Sequence, residues 1–131
     1  MRMKMDQSKY QFNNQNYLNI ETYRRNGQGV RTPVWFVDDG EAFYIRTGAN
    51  SGKVKRSRNN PDVQIAPCKA DGTVIGKWIS AKGKEITVTE TDKRVDQLLG
   101  KKYGIQKNLF AWMSRLRGDQ YTILKIELPS T

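Results

Sequence analysis

The chain has 131 residues, 23 Lys+Arg against 13 Asp+Glu, and no His, for a formal net charge of +10. Without His there is no Ser-His-Asp or Cys-His site and no imidazole metal ligand, and the lone Cys68 excludes disulfide frameworks and thiolate zinc sites. No apolar run is long enough for a membrane span or a signal peptide, so the expectation is a soluble, cytoplasmic protein with an anionic partner. The length suits a single domain over residues 1–131, in which residues 1–10 are loosely ordered or a short helix.

Strand signals begin at Tyr17. Leu18, Ile20 and Thr22 alternate with Asn19, Glu21 and Tyr23, a period of two. Asn26-Gly27 predicts a hairpin turn with φ > 0 at both central positions. A second strand follows over Val30 to Val37, then a turn at Asp39-Gly40 and a third strand over Ala42 to Thr47, reading as a meander. Asn50-Ser51-Gly52 starts a short helix, Lys53 to Asn59, that Pro61 ends. Val63 to Pro67 is strand-like, and Asp71-Gly72 marks a turn. Thr73–Ser80 and Lys84–Val88 read as two strands or one bent strand. Val95, Leu98, Leu99 and Tyr103 form a helical stripe stopped by Gly104, and Leu109, Trp112, Met113 and Leu116 form a second, stopped by Gly118. A last strand runs from Tyr121 to Leu128. The pattern predicts a mainly β fold with α decoration, a small antiparallel barrel.

The densest chemical signal is Ser51-Gly52-Lys53-Val54-Lys55-Arg56-Ser57-Arg58, with four cations in six residues at a helix start. Backbone N–H groups and the helix dipole favour an anion there. Gly52 allows close approach to the backbone, the Ser51 hydroxyl can donate, and Lys53 and Arg56, at i and i+3, can converge on one phosphate. A solvated basic face on a surface helix is the other reading of the same run. Asp38-Asp39 sits where a turn favours Asp, which argues against acid–base or metal work. Trp35, Trp78 and Trp112 suit the core or a planar ligand, and Pro33 suggests an open sheet edge. Cys68 reads as a small buried residue. Two classes follow: an enzyme whose phosphorylated cofactor does the chemistry, or a basic nucleic-acid-binding barrel. The cations of Lys53 to Arg58 do not interleave with aromatics, which favours a phosphate pocket over nucleic acid.

Thr32-Pro33-Val34-Trp35-Phe36-Val37, Phe43-Tyr44-Ile45-Arg46-Thr47-Gly48, Ser51-Gly52-Lys53-Val54-Lys55-Arg56, Pro61-Asp62-Val63 and Ala66-Pro67-Cys68 occur in that order. In combination they resemble the pyridoxamine 5'-phosphate oxidase-like split β-barrel superfamily, most closely its branch of F420-dependent oxidoreductases. The resemblance implies a six-stranded antiparallel split β-barrel with short helices. It implies a homodimer with coenzyme F420 or FMN at the interface, and hydride transfer to a small conjugated electron acceptor. It places Thr32, Pro33, Val34 and Trp35 along the cofactor ring with Thr47 beside it. Ser51, Gly52, Lys53 and Arg56 fall on the phosphate, and Lys55 or Arg58 on an anionic tail. The helix with Phe110 and Trp112 would cover the barrel or the partner chain. No catalytic side chain and no metal site is implied. Thr32 and Val37 stand where the oxidases carry Arg and Lys, so pyridoxamine phosphate oxidase activity itself is not expected. The alternative is a binding module without turnover, a cofactor carrier or a nucleic-acid-binding barrel.

Overall fold

The computed structural model describes residues 9–86, 89–103 and 121–129. Residues 1–8, 87–88, 104–120 and 130–131 lie outside them, and with them the Gly104 stop and the second helical stripe, Phe110 and Trp112 included. The strands are β1 (Tyr17–Tyr23), β2 (Gly29–Trp35), β3 (Val37–Asp38), β4 (Ala42–Gly48), β5 (Asp62–Cys68), β6 (Ile79–Ile86) and β7 (Tyr121–Glu127). The helices are α1 (Gly52–Asn59) and α2 (Thr89–Tyr103). All strands join one antiparallel sheet in the order β2-β1-β5-β6-β7-β4-β3. Six strands have seven or eight residues and β3 has two, so the mainly β architecture with helical decoration is as the sequence predicts.

The period-two alternation sorts the strands into two faces. Leu18 and Ile20 meet Phe43, Ile45, Val63, Ile65, Leu124 and Ile126 on the inner face, all essentially inaccessible. Phe12 joins them from the amino-terminal segment, its ring 6.0 Å from Phe36 and 5.0 Å from Phe43, both edge-on. This segment, read from sequence as loose up to residue 10, is therefore anchored just beyond it. On the outer face Val37, Ala42, Tyr44 and Ile123 form a second cluster, covered by Val95, Leu98 and Leu99 of α2. Helix α1 lies against β1 and β6 and drives Val54 into the inner core, a burial that contributes roughly 1.5–3 kcal/mol.

Three local features differ from expectation. At the β1–β2 hairpin only Gly27 takes positive φ, +89°, and Asn26 does not. The loop is longer than a two-residue turn: Gly27 N donates to Arg24 O (2.8 Å) and Arg24 N to Gln28 O (2.9 Å), so one left-handed residue suffices. Residues 73–78 are not a strand; they hold only the bridge Cys68↔Val74, and β6 begins at Ile79 as one strand. The side chain of Gln11 takes the place of a ladder neighbour there, donating to Lys77 O (2.9 Å) and accepting from Lys77 N (2.8 Å). Finally, the strand predicted over Val30 to Val37 breaks at Phe36. Its ring turns into the core, β2 stays paired with β1, and β3 crosses to pair with β4.

Candidate cofactor site

The break at Phe36 creates the groove. Val37 lies opposite Tyr44 and Asp38 opposite Phe43. Continuing that register would set Trp35 opposite Arg46 and Val34 opposite Thr47. The chain instead passes to β1, leaving β2 and the end of β4 close but without a ladder between them. The wedge they leave is a cavity of about 310 Å³, walled by Thr32 to Trp35 on one side and by Arg46 and Thr47 on the other. Tyr17 stands at the Trp35 end, its ring 6.4 Å from the indole, and Lys53 stands at the end nearer α1. Pro33 is tolerated because β2 is an edge strand with a ladder on one side only.

At the head of α1 the polar groups are arranged without acids. Ser51 is the N-cap, yet its hydroxyl makes no capping bond; its Oγ is buried and has no hydrogen-bond partner. An unpartnered buried hydroxyl is costly, and an anion accepting from it would remove that cost. Burial pushes the Lys53 ammonium below the ordinary lysine range, and the neighbouring Arg56 adds to the shift. Burial lowers Arg56 as well, followed by repulsion from Arg24. Arg56 donates from Nε to Thr22 Oγ1 at 2.6 Å. Among the described residues no carboxylate pairs with Arg24, Lys53 or Arg56. Three cations gathered without a carboxylate are an arrangement that can receive an anionic group such as a phosphate.

Of the sequence-predicted residues, Thr32, Pro33, Val34, Trp35, Thr47 and Lys53 share the groove, and Ser51, Gly52 and Arg56 sit beside Lys53 on α1. The space above Gly52 is occupied by the Arg56 guanidinium, since a Cβ there would lie 2.5 Å from Nη1; the glycine makes room for an arginine rather than for an incoming anion. Lys55 is exposed. Arg58 is committed to Glu85, donating from Nε (2.8 Å) and Nη2 (3.1 Å), and so is balanced rather than waiting for an anionic tail. Sequence reasoning missed Arg46, Tyr17, Thr22 and Arg24.

Competing sites are poorer. A cavity of about 540 Å³ is larger, but it presents the carboxylates of Asp62 and Glu127, and its Lys82 is bonded to Asp62. Asp38 and Asp39 serve their turn: Asp38 Oδ1 accepts from Gly40 N (2.8 Å), and Asp39 Oδ1 from Glu41 N and Ala42 N (both 2.9 Å). Burial pushes the Asp39 carboxyl up, but those N–H groups, the Tyr44 hydroxyl and Arg94 outweigh it and hold it below the usual range. Burial, reinforced by Asp71, raises the Cys68 thiol to about 11, which leaves it inert at neutral pH. No cluster of metal-ligating residues occurs among the described residues. No helix among them is long and apolar enough to cross a membrane.

The same arrangement of strands recurs in solved structures. The heme storage protein HutZ of Vibrio cholerae superposes with a TM-score of 0.71 at 14% identity, over 100% of this chain and 93% of that one. A Listeria innocua protein provisionally assigned as a pyridoxamine 5'-phosphate oxidase gives 0.67 at 13% identity, over 94% and 91%. An F420 reductase gives 0.60 at 16% identity, over 93% of each chain. The chain shares its fold with these three proteins. No family model matches the chain, and no curated protein matches it in sequence. These structures thus include both a reductase and a heme storage protein. This chain has no His anywhere, so it has no imidazole to offer a heme iron. What the groove offers is cations without carboxylates beside a strip of strand edge. Those residues fit a phosphorylated, planar cofactor.

Proposed function

We propose that the groove binds a phosphorylated flavin-type cofactor, coenzyme F420 or FMN, and that the protein is an oxidoreductase reducing a small conjugated acceptor. One observation carries the reading: Thr32 to Trp35, Thr47 and Lys53 converge on one wedge, next to cations without counter-charge and a buried hydroxyl without a partner. The cofactor, when bound, supplies the hydride chemistry. Lys53, with Arg56 and the Ser51 hydroxyl, holds the phosphate. The β2 edge from Thr32 to Trp35, with Thr47 of β4 opposite, would line and orient the ring. The proton that accompanies hydride would come from solvent or from the cofactor. We also propose that a second copy of the chain completes the groove as a homodimer, which would cover the open β2 edge. The chain then acts as a single domain.

The decisive experiment titrates ligand-free protein with F420, FMN and hemin in parallel, following fluorescence and absorbance. Preferential binding of the deazaflavin or of FMN, weakened by Lys53→Ala, supports the proposal and selects the cofactor. Binding of hemin alone, or of none of the three, overturns it. Cofactor binding without turnover of quinones, enones or nitro compounds would make the protein a carrier. Light scattering on the loaded protein tests the dimer.

A further inference from the structure

Arg56 is held differently from other arginines of the structure. Arg31 donates to Glu21 (2.8 Å) and Arg58 to Glu85 (2.8 Å), pairs that fix a guanidinium and cancel its charge together. Arg56 instead donates Nε to the hydroxyl of Thr22, which is fully buried on the inner face of β1. A hydroxyl fixes the guanidinium without neutralising it. The other half of the fixture is steric. The guanidinium lies over the Cα of Gly52, where a Cβ would stand 2.5 Å from Nη1 and 3.2 Å from Cζ. With Nε committed to Thr22, the N–H groups on Nη1 and Nη2 remain to donate at the head of α1, beside Lys53 and the Ser51 hydroxyl.

We infer that Thr22 is a positioning residue for the anion site, acting with the bare Cα of Gly52 to hold the Arg56 guanidinium across the head of α1 with its charge intact. This rests on reading the groove as a phosphate site. It assigns a binding role to a strand residue outside the groove wall and to a glycine whose own backbone the anion need not touch.

The test uses the full chain and inorganic pyrophosphate, with binding read from the amide shifts of Gly52 and Lys53 and from calorimetry. Thr22→Val keeps shape and removes the acceptor; Thr22→Ser restores it. Gly52→Ala displaces only the tip of a flexible side chain and improves helix propensity, so it melts no lower than the parent. Thr22→Val and Gly52→Ala should each weaken pyrophosphate about three- to tenfold, the scale of one charge-assisted contact loosened, while Thr22→Ser stays near the parent. In an Arg56→Ala background, Thr22→Val should have no further effect on affinity. Parent affinity in Thr22→Val, or a loss that persists without Arg56, overturns the inference. Weakening by Lys53→Ala without weakening by Thr22→Val means that the inference alone fails. No binding by the parent, or no effect of Lys53→Ala, means that the phosphate-site reading fails and the inference with it.

Discussion

Replacing Lys53 by Ala should move affinity and stability in opposite directions. A charge-assisted bond to phosphate contributes roughly 1.5–3 kcal/mol, which corresponds to about 10- to 150-fold in Kd. In the free protein the same ammonium is partly removed from water and faces Arg56, and both effects lower its pKa from 10.5. A lysine whose folded pKa lies below its unfolded value opposes folding wherever it is charged; stability rises as pH climbs from the folded pKa towards 10.5. Deleting it should therefore leave the free protein as stable or up to about 1 kcal/mol more stable, a rise of roughly 2–5 °C in Tm for a domain of this size. Salt should shrink that gain, because it screens the repulsion from Arg56. Differential scanning fluorimetry at low and high salt measures the stability change, and cofactor titration measures the affinity. A variant that melts several degrees lower, or that binds the cofactor as well as the parent, refutes the reasoning.

Phe43→Ala should cost about 3–5 kcal/mol in urea unfolding, since a fully buried ring in contact with Phe12 and Phe36 leaves a void that strands cannot close; a loss under about 1.5 kcal/mol would contradict the packing described. Arg58→Ala should leave the melting temperature close to the parent's and cofactor affinity within about twofold, because Glu85 already balances that charge in an exposed pair; a tenfold loss of affinity would return Arg58 to the site. Burial lowers Lys102 to about 8, against an opposing pull from Asp38. Its charge therefore opposes folding below that pH. The stability of the parent relative to Lys102→Met should rise as pH increases from about 8 towards 10.5, measured by denaturant unfolding across that range. A flat difference would show that the Phe36 carbonyl and ring, which Lys102 touches, fully compensate its burial.

Local pattern carried the strands and helices far into the structure. Alternation over Leu18 to Tyr23 and over Ala42 to Thr47, and the spacing of Val95, Leu98 and Leu99, are properties of short windows, and they gave the elements; over Ala42 to Thr47, however, both faces are buried, Phe43 and Ile45 in the inner core and Ala42 and Tyr44 in the cluster that includes Val95, Leu98 and Leu99 of α2. Residues 73–78 misled because Val74 and Ile75 have strand composition while Gln11, more than 60 positions away, holds the backbone of Lys77. The groove was legible in part. Thr32 to Trp35, Thr47 and Lys53 stand out through motif resemblance and do meet. Arg46 and Tyr17 were invisible because their place depends on how β4 departs from β2 and on the register Tyr17↔Trp35. Thr22 and Arg24 were invisible for a related reason: nothing near them in sequence says that α1 will bring Arg56 against β1. Arg58 was overcounted because a basic run does not show which of its members meets a carboxylate.

The strands at the two ends of the sheet, β2 and β3, are consecutive in the chain and separated by Phe36 alone. The sheet therefore behaves as a clasp whose hinge is covalent and whose jaws are β2 and β4. The hinge side cannot part without drawing a buried ring out of the core. The jaw side has no ladder across it, so side chains rather than backbone hydrogen bonds bound the wedge there. The width of the groove is thereby separated from stability of the fold: residues near the hinge set whether the clasp exists, and residues near the mouth set how far it opens.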